Sequence, residues 1–419
     1  MRTDILAIDF GTSNSAAAIV TEQGVRRIPV EQGADTLPTA VFFPADESPM
    51  QIGARAAQAL IAGEEGRYMR ALKSVLGLPL LQEKRLINGR RRTLSGIITE
   101  FLAEMRQRAE AATGARFRYA LSGRPVHFHS DDPALDAQAE VDLRACYLAA
   151  GFKEVAFLAE PEAAALASHR MGDAEEIGLV VDIGGGTSDF SVFRSTCAGP
   201  EILASYGIRL GGTDFDHAVS MAHAMPQLGL GGQLRRQMGP GLLPVPRAPY
   251  VDLATWAKIP FLYTGETRRA VADMARLAVD PVRLGRFATV LEMELGHELA
   301  FSVERGKIAA NSGAGTGQIE MGFIEPGLAA PLTRDALDAA LAENRALLRA
   351  AMSGTLAHAD VTPDRIGRVI LVGGSSLMQF VADEIAVLCP GAELLYSDAF
   401  TAVVDGLALA AYRDAGRFP

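Results

Sequence analysis

The sequence has few of the residues that build disulfide frameworks or zinc sites. Its 419 residues include three cysteines, Cys146, Cys197 and Cys389, which lie far apart and are odd in number. This spacing matches neither a disulfide scaffold nor a zinc site. We therefore expect a protein of the reducing cytoplasm.

Long apolar runs are also missing. No uncharged run approaches the ~18 residues that a membrane span needs, and no basic region followed by an apolar stretch marks a signal peptide at the N-terminus. The net charge of −10 argues against a general nucleic-acid-binding surface. We expect neither a membrane nor a nucleic acid as a partner.

Several motifs of common enzyme classes do not occur. The chain has no G-x-x-x-x-G-K-[ST] sequence, which excludes a P-loop enzyme, and it has neither H-E-x-x-H nor G-x-S-x-G. Its composition is globular, with 49% hydrophobic and 21% charged residues. The length suits about two or three domains.

Two similar hairpins stand out among the residues that are present. ILAIDFGTSNSAAAIV begins at Ile5 and VVDIGGGTSDFSVF begins at Val180. In each, an aspartate (Asp9 or Asp182) lies between an apolar strand and a glycine turn with hydroxyls. Glycines let backbone N–H groups approach an anion, and a carboxylate beside a phosphate requires a divalent cation between them. Either copy alone could be an ordinary hairpin, but the repeat predicts a duplicated domain that holds a ligand between its copies.

A third glycine turn follows another apolar strand. IGRVILVGGSSL, from Ile366 to Leu377, predicts a strand, a glycine turn and a helix, the form that receives a nucleotide on a helix N-terminus. Upstream, Glu160 follows a strand and precedes Pro161 at the first helical position. A carboxylate there can face a ligand, although it could equally only stabilise its own helix.

Other segments give weaker predictions. The spacing predicts a helix over 95–113 capped by Ser95, a long helix over 291–311, and an irregular excursion over 226–260. His127 and His129 would point the same way on a strand, which makes a metal pair conceivable although no further ligand is near. Glu304 and Lys307 lie three positions apart and share a helix face. This spacing also suits an ordinary ion pair on the protein surface.

The needs of phosphoryl transfer match the polar residues that remain. Asp9 and Asp182 can hold Mg²⁺ through water, because that ion keeps much of its hydration. Lys73 can neutralise charge on a terminal phosphate. Glu160 or Asp189 can orient or deprotonate an attacking water.

These motifs, in this order, resemble the actin-like ATPase superfamily and, more narrowly, DnaK-type heat-shock chaperones. The motifs that carry the resemblance are IDFGTS, ALKSVLG, AEPEAAAL, VDIGGGTSD, RLGGTDFD, ERGK and LVGGSS. The resemblance covers the chain to about Tyr412. Within the family it resembles the short YegD-like branch, which has the nucleotide-binding domain alone.

The resemblance implies an α/β fold with two actin-like lobes, each a ribonuclease-H-like domain with an inserted subdomain, and ATP or ADP with Mg²⁺ between them. Lobe I would cover residues 1–172, with core segments 1–38 and 115–172, an insertion over 39–114 and a returning C-terminal helix over 396–419. Lobe II would cover residues 173–395, with core segments 173–212 and 332–395 and an insertion over 213–331.

The resemblance also implies roles for individual residues. The catalytic group would be Lys73, Glu160, Thr187 and Asp189, and the magnesium shell would contain Asp9 and Asp182. The nucleotide contacts would be Gly11, Thr12, Ser13, Asn14, Gly184, Gly185, Gly186, Gly211, Gly212, Glu304, Lys307, Ile308, Gly373, Gly374, Ser375 and Leu377.

Two departures from the family pattern affect the expected function. Ile308 and Leu377 stand where the family usually has arginines that sandwich adenine, so packing there would use dispersion instead of cation–π stacking. The chain also stops where typical members continue into a linker and a peptide-binding domain, so we expect no peptide clamping of the usual kind.

The sequence therefore predicts an ATP-binding, slowly hydrolysing chaperone-like ATPase of unknown client. Three alternatives stay open at this stage: a nucleotide sensor without useful turnover, a small-molecule kinase of the same superfamily, and a filament-forming protein. The apolar residues Ile308 and Leu377 favour the sensor among these alternatives. No acceptor motif for a kinase is visible.

Overall fold

The computed structural model describes residues 4–31, 33–46, 48–87, 89–168, 176–197, 199–312, 317–397 and 401–413. The chain forms two compact units. Unit 1 contains residues 1–212 together with 346–419, and unit 2 contains residues 213–345.

The described residues form strands over the following ranges. In chain order they are β1 (Ile5–Phe10), β2 (Asn14–Thr21), β3 (Gly24–Ile28), β4 (Thr36–Pro38), β5 (Ala40–Pro44), β6 (Gln51–Ile52), β7 (Gly66–Arg70), β8 (Arg85–Ile87), β9 (Arg90–Arg92), β10 (Tyr119–Arg124), β11 (Glu154–Ala159), β12 (Ile177–Ile183), β13 (Ser188–Thr196), β14 (Gly199–Ile208), β15 (Gln233–Arg235), β16 (Leu242–Pro244), β17 (Gly317–Glu320), β18 (Ala329–Leu332), β19 (Ile366–Val372) and β20 (Glu393–Tyr396).

The α-helices are, in the same order, α1 (Ala54–Ile61), α2 (Leu94–Thr113), α3 (Pro133–Ala149), α4 (Glu160–Ser168), α5 (Gly212–Val219), α6 (Ala248–Leu253), α7 (Gly265–Leu277), α8 (Pro281–Glu292), α9 (Gly296–Asn311), α10 (Arg334–Ala340), α11 (Ala342–His358), α12 (Gln379–Leu388) and α13 (Ala402–Arg413). Two short 3-10 turns, Leu72–Val75 and Gly374–Leu377, carry residues discussed below.

Unit 1 contains the same sheet twice. The first sheet has the order β11-β10-β1-β2-β3, with β4 added to β2, and the second has the order β14-β13-β12-β19-β20. In each sheet the first strand along the chain pairs antiparallel with the next strand and parallel with a later one. The matching topology confirms the predicted α/β fold with a duplicated core.

The central strands are buried because each lies between packed layers. All seven residues of β12 (IGLVVDI) are buried, the pattern of a strand covered on both faces. Helix α13 packs on the first sheet and against α4, where Gly406 lies so close to the backbone of Ala163 that a Cβ would overlap it. One apolar cluster includes residues of both sheets, α4 and α13.

Some helix predictions need correction. Helix α2 begins one residue before Ser95, and its cap is Thr93, whose hydroxyl accepts a hydrogen bond from the Gly96 N–H at 3.1 Å. The single helix predicted over 291–311 is wrong, because α8 and α9 are separated by Glu294 in a left-handed conformation (φ 56°). The excursion predicted over 226–260 is only partly irregular, since it contains β15, β16 and α6.

Unit 2 consists of helices and two small hairpins. Strands β17 and β18 pair with each other, and β17 packs on α9, where Gly306 and Gly317 allow the backbones to approach closely. Across the described ranges of both units, no helix is long and apolar enough to cross a membrane.

Candidate functional site

The turns of the two repeated hairpins lie against each other in unit 1. Gly185 and Gly186, between β12 and β13, face Ser13 and Thr12, between β1 and β2. A Cβ on Gly186 would lie 3.0 Å from the Thr12 hydroxyl, and one on Gly185 would overlap the Ser13 hydroxyl. Only glycine leaves the space between these turns open.

The third glycine turn, at Gly373 and Gly374, lies next to the turns of the two hairpins. Gly373 has φ 81°, which favours glycine, and a Cβ there would lie 2.8 Å from Oδ1 of Asp182. The Gly212 N–H donates to the Gly184 carbonyl at 3.0 Å, and a Cβ on Gly212 would overlap the Ser375 hydroxyl. The structure therefore brings together the three turns that the sequence singled out.

Several carboxylates line this junction. Asp182 and Asp189 are directly opposite each other on β12 and β13, so their side chains share one face of the sheet. Oδ1 of Asp189 accepts a hydrogen bond from the Val126 N–H at 2.6 Å. Asp9 is the next-to-last residue of the equivalent strand of the first sheet, and its charge is among those that act on Asp182.

The carboxylates hold protons unusually tightly. Desolvation and the nearby Glu160 raise the pKa of Asp9 to about 7 and that of Asp189 to about 8. Burial, followed by the charges of Glu160, Asp189 and Asp9, raises the pKa of Asp182 well above its ordinary value. Buried like charges oppose one another's ionisation, so the site would have an excess of negative charge only if all of these carboxylates lost their protons.

One lysine partly offsets this charge. Lys73 lies on the 3-10 turn Leu72–Val75, and its Nζ is 2.6 Å from Oε1 of Glu160 at the start of α4. The two side chains are only 6% and 12% exposed. Burial by itself would lower the pKa of Lys73, but the charges of Glu160 and Asp9 outweigh it and raise the pKa. The lysine therefore stays protonated.

The donor set fits a hydrated magnesium ion that arrives with a phosphate. Among the described residues, no group of three or more His, Cys, Asp or Glu side chains is arranged to hold a metal directly. Mg²⁺ commonly binds through one or two carboxylates, waters and substrate phosphates. Asp9 and Asp182 supply such carboxylates, and an additional cation would relieve the repulsion that raises their pKa values.

A small cavity of about 20 Å³ lies beside the lysine. Thr12, Lys73, Thr187 and Arg209 are among the residues that line it. This volume is enough for about one water molecule between polar groups. The cavity therefore offers a position for water next to the glycine turns of the two hairpins.

The predicted residues of unit 2 have a different environment. On α9, Nζ of Lys307 lies 2.7 Å from Oδ1 of Asp216, with both side chains less than 10% exposed. The indole N–H of Trp256 donates to the other oxygen of Asp216 at 3.1 Å. Burial raises the pKa of Asp216 despite the lysine. Lys307 therefore has a buried partner in Asp216, and the charge of Glu304 also acts on Asp216.

Ile308 and Leu377, for which the resemblance predicts contact with adenine, are both exposed. Ile308 is 57% exposed on α9, and Leu377 is 47% exposed at the end of the 3-10 turn Gly374–Leu377. Exposed apolar side chains of this size can cover an apolar ligand face.

The conceivable histidine metal pair is wrong. Both residues follow β10 in a loop, where Nδ1 of His127 lies 3.2 Å from Oδ2 of Asp136. Nε2 of His129 lies 2.7 Å from the Leu76 carbonyl. The two rings therefore face different partners.

For some residues near the site, the sequence patterns predicted no contact. The Ser122 and Tyr147 hydroxyls are 2.8 Å apart and fully buried, and the charges of Asp9 and Glu160 contribute to the raised pKa of Tyr147. Arg209 reaches the Lys73 turn from the second sheet. No spacing in the sequence predicts either contact.

Comparison with known proteins agrees with this geometry. A family model described as "Hsp70 protein" matches residues 82–229. The chain is 32% identical over 288 residues to a "Chaperone protein HscA homolog" of Pseudomonas aeruginosa, covering 64% of this chain and 45% of that protein. The matched segments of the chain are similar to Hsp70-family proteins. A second Hsp70 relative, the HscA homolog of Burkholderia mallei, is 27% identical over 400 residues, which are 91% of this chain and 54% of that protein.

The chain spans about half the length of the curated relatives it matches. Its narrower resemblance to the YegD-like branch of the Hsp70 family stays a prediction.

Proposed function

We propose that the chain is an ATP-binding, slowly hydrolysing ATPase of the chaperone type, which uses ATP with Mg²⁺. The observation that carries the proposal is the meeting of two Asp–Gly–Thr turns around the buried pair of Lys73 and Glu160. The names of its relatives, which are chaperone proteins, support the same assignment. The lobe boundaries, the cytoplasmic location and the client stay predictions.

The glycine turns would bind the phosphates through backbone N–H groups, with the hydroxyls of Thr12, Ser13 and Thr187 as further donors. Asp9 and Asp182 would hold the hydrated magnesium ion, which supplies charge neutralisation for the phosphates when bound. Lys73 would neutralise the terminal phosphate, because its strong pairing keeps it charged.

An attacking water needs a group that orients it and accepts its proton. Glu160 accepts a hydrogen bond from the Lys73 ammonium at 2.6 Å, so one of its oxygens is occupied by that pair. Asp189 has a pKa of about 8 in the nucleotide-free protein and is therefore poised for proton exchange near neutral pH. We assign the general-base role to Asp189 and an orienting role to Glu160.

The remaining assignments follow the family resemblance. The phosphate loops would contribute Gly11, Asn14, Gly184, Gly185, Gly186, Gly211 and Gly212, and the nucleoside contacts would be Glu304, Lys307, Ile308, Gly373, Gly374, Ser375 and Leu377.

ATP turnover of purified variants tests the proposal. Lys73→Ala and Asp182→Ala should each lose at least about 100-fold in turnover, because both groups act on the transferred phosphoryl group. The matched control is Lys258→Ala, since Lys258 is an exposed lysine that pairs with Asp252 at 2.8 Å. Equal turnover in wild type and all three variants would end this proposal.

A nucleotide sensor without useful turnover is the second candidate. It is favoured by the exposed apolar residues Ile308 and Leu377, which replace the stacking cations of the family. Calorimetric titration with ATP and Mg²⁺, combined with single-turnover measurement on the same sample, separates the two functions. Tight binding without product formation would favour the sensor.

A further inference from the structure

The turn that carries Lys73 is strained and depends on its neighbours. It begins at Ala71, a buried residue in the left-handed conformation (φ 60°). A non-glycine residue adopts this conformation only where the surrounding structure holds it. Internal support comes from the Ser74 hydroxyl, which donates to the Ala71 carbonyl at 2.7 Å.

Two external hydrogen bonds reach the turn from the first half of unit 1. The Gly77 N–H donates to Oδ2 of Asp142 on α3 at 3.1 Å. The Leu76 carbonyl accepts from Nε2 of the buried His129 at 2.7 Å. A carbonyl only accepts, so His129 carries its proton on Nε2, and Nδ1 is left as an acceptor.

The second half of unit 1 supplies the partner of that acceptor. Arg209, just after β14, directs Nη1 to Nδ1 of His129 at 3.1 Å and Nη2 to the Ser74 carbonyl at 2.8 Å. The guanidinium thus contacts the turn directly at Ser74 and is linked through His129 to the Leu76 carbonyl that follows the turn. A lysine could not make both contacts, because its ammonium lacks the planar fork of arginine.

The loop between β10 and α3 is held from the same side. Gly207 on β14 is so close that a Cβ would lie 3.0 Å from Cβ of Val126 and 3.2 Å from the His127 nitrogen. The neighbouring Val126 N–H is the donor to Asp189. The loop with His129 is therefore packed between the Lys73 turn and the second sheet.

We propose that Arg209 is a positioning residue that fixes the Lys73 turn from the second repeat, acting directly on Ser74 and indirectly through His129. Both outer donors of the guanidinium are directed to the turn and to the histidine, which favours support of the lysine over direct contact with a ligand. This inference rests on the proposed function for its kinetic consequence, but its structural part is independent of any turnover.

Hydrogen exchange measured by mass spectrometry tests the structural part in the nucleotide-free protein. Arg209→Ala should accelerate exchange of the amides in residues 71–78 by about tenfold, the loss expected for a hydrogen bond from a charged donor. A peptide inside α2, residues 97–109, reports on the stability of the whole unit and should not change. The matched control is Arg194→Ala, because Arg194 is an exposed arginine of the same sheet that pairs with Glu201 at 3.4 Å.

The variants also test the route through histidine. His129→Phe should also accelerate exchange over 71–78, and its combination with Arg209→Ala should exceed either single change, because Arg209 still bonds Ser74 in the first variant and His129 still bonds Leu76 in the second. Arg209→Lys should give an intermediate rate. Unchanged exchange over 71–78 in Arg209→Ala, or an equal increase in α2, would overturn the proposal.

Steady-state ATP turnover then separates positioning from ligand binding. Arg209→Ala should lower kcat by about 10- to 100-fold with little change in KM, as expected when a catalytic group is displaced by a fraction of an ångström. A large increase in KM with normal exchange over 71–78 would overturn the proposal. If wild type itself shows no turnover, the proposed function fails, and the exchange result alone decides the positioning role.

Discussion

Replacing Asp189 with asparagine should stabilise the nucleotide-free protein, and the gain should grow with pH. Asp189 is 1% exposed, and its pKa of about 8 lies far above the ordinary value of 3.8. Between these two values the folded chain keeps a proton that the unfolded chain has lost. The free energy of unfolding therefore falls as pH rises through this window.

The size of the effect follows from the pKa. A tenfold difference in proton affinity corresponds to about 1.4 kcal/mol, so wild type should lose about 3–4 kcal/mol from this group between pH 5 and pH 8. Asparagine keeps the oxygen that accepts from the Val126 N–H and has no charge to desolvate. The variant should be spared that loss, although Asp9 and Asp182 still contribute a pH dependence of their own.

Urea unfolding followed by far-UV circular dichroism, at pH 5, 6, 7 and 8 without nucleotide or Mg²⁺, measures the difference. The control is Asp46→Asn, because Asp46 is an exposed aspartate whose pKa is lowered by hydrogen bonds from Ser48. Parallel loss of stability in wild type and Asp189→Asn from pH 5 to pH 8 would refute the reasoning.

Three further predictions concern the site and its support. Gly185→Ala should weaken ATP binding at least about tenfold in calorimetric titration, because the new Cβ overlaps the Ser13 hydroxyl and shifts the turn; an unchanged affinity would show that the turn adapts freely. Leu377→Arg should tighten ATP binding by about 3- to 10-fold, since it restores a cation for the base to stack on, and weaker binding would contradict this. Tyr147→Phe should lower the free energy of unfolding, measured in urea, by about 1 kcal/mol, because it removes the buried hydrogen bond with Ser122. An unchanged free energy of unfolding would show that this hydrogen bond does not stabilise the folded protein.

Local patterns predicted the duplicated core well. Apolar strands precede Asp9 and Asp182, and glycines follow them. This local pattern predicts a short hairpin and leaves few other structures possible. Glu160 begins α4 as its proline neighbour indicates. These features depend on residues close together in sequence.

Contacts between distant residues were not predictable in the same way. Lys73 and Glu160 are 87 positions apart, and Arg209 and His129 are 80 apart, so only the tertiary fold brings them together. The break at Glu294 escaped prediction because a left-handed glutamate has no strong sequence signature. The family resemblance supplied Lys73, but it supplied no equivalent for the pair of Arg209 and His129.

The place of α13 has a consequence for how the polypeptide acquires its structure during translation. The first sheet begins at Ile5, yet the helix that covers it begins only at Ala402. A ribosome must therefore synthesise the chain at least as far as Ala402 before the earliest strands receive their apolar cover. Until then those strands can pair in the wrong register or associate with other chains, because unpaired edges and exposed apolar surface favour aggregation.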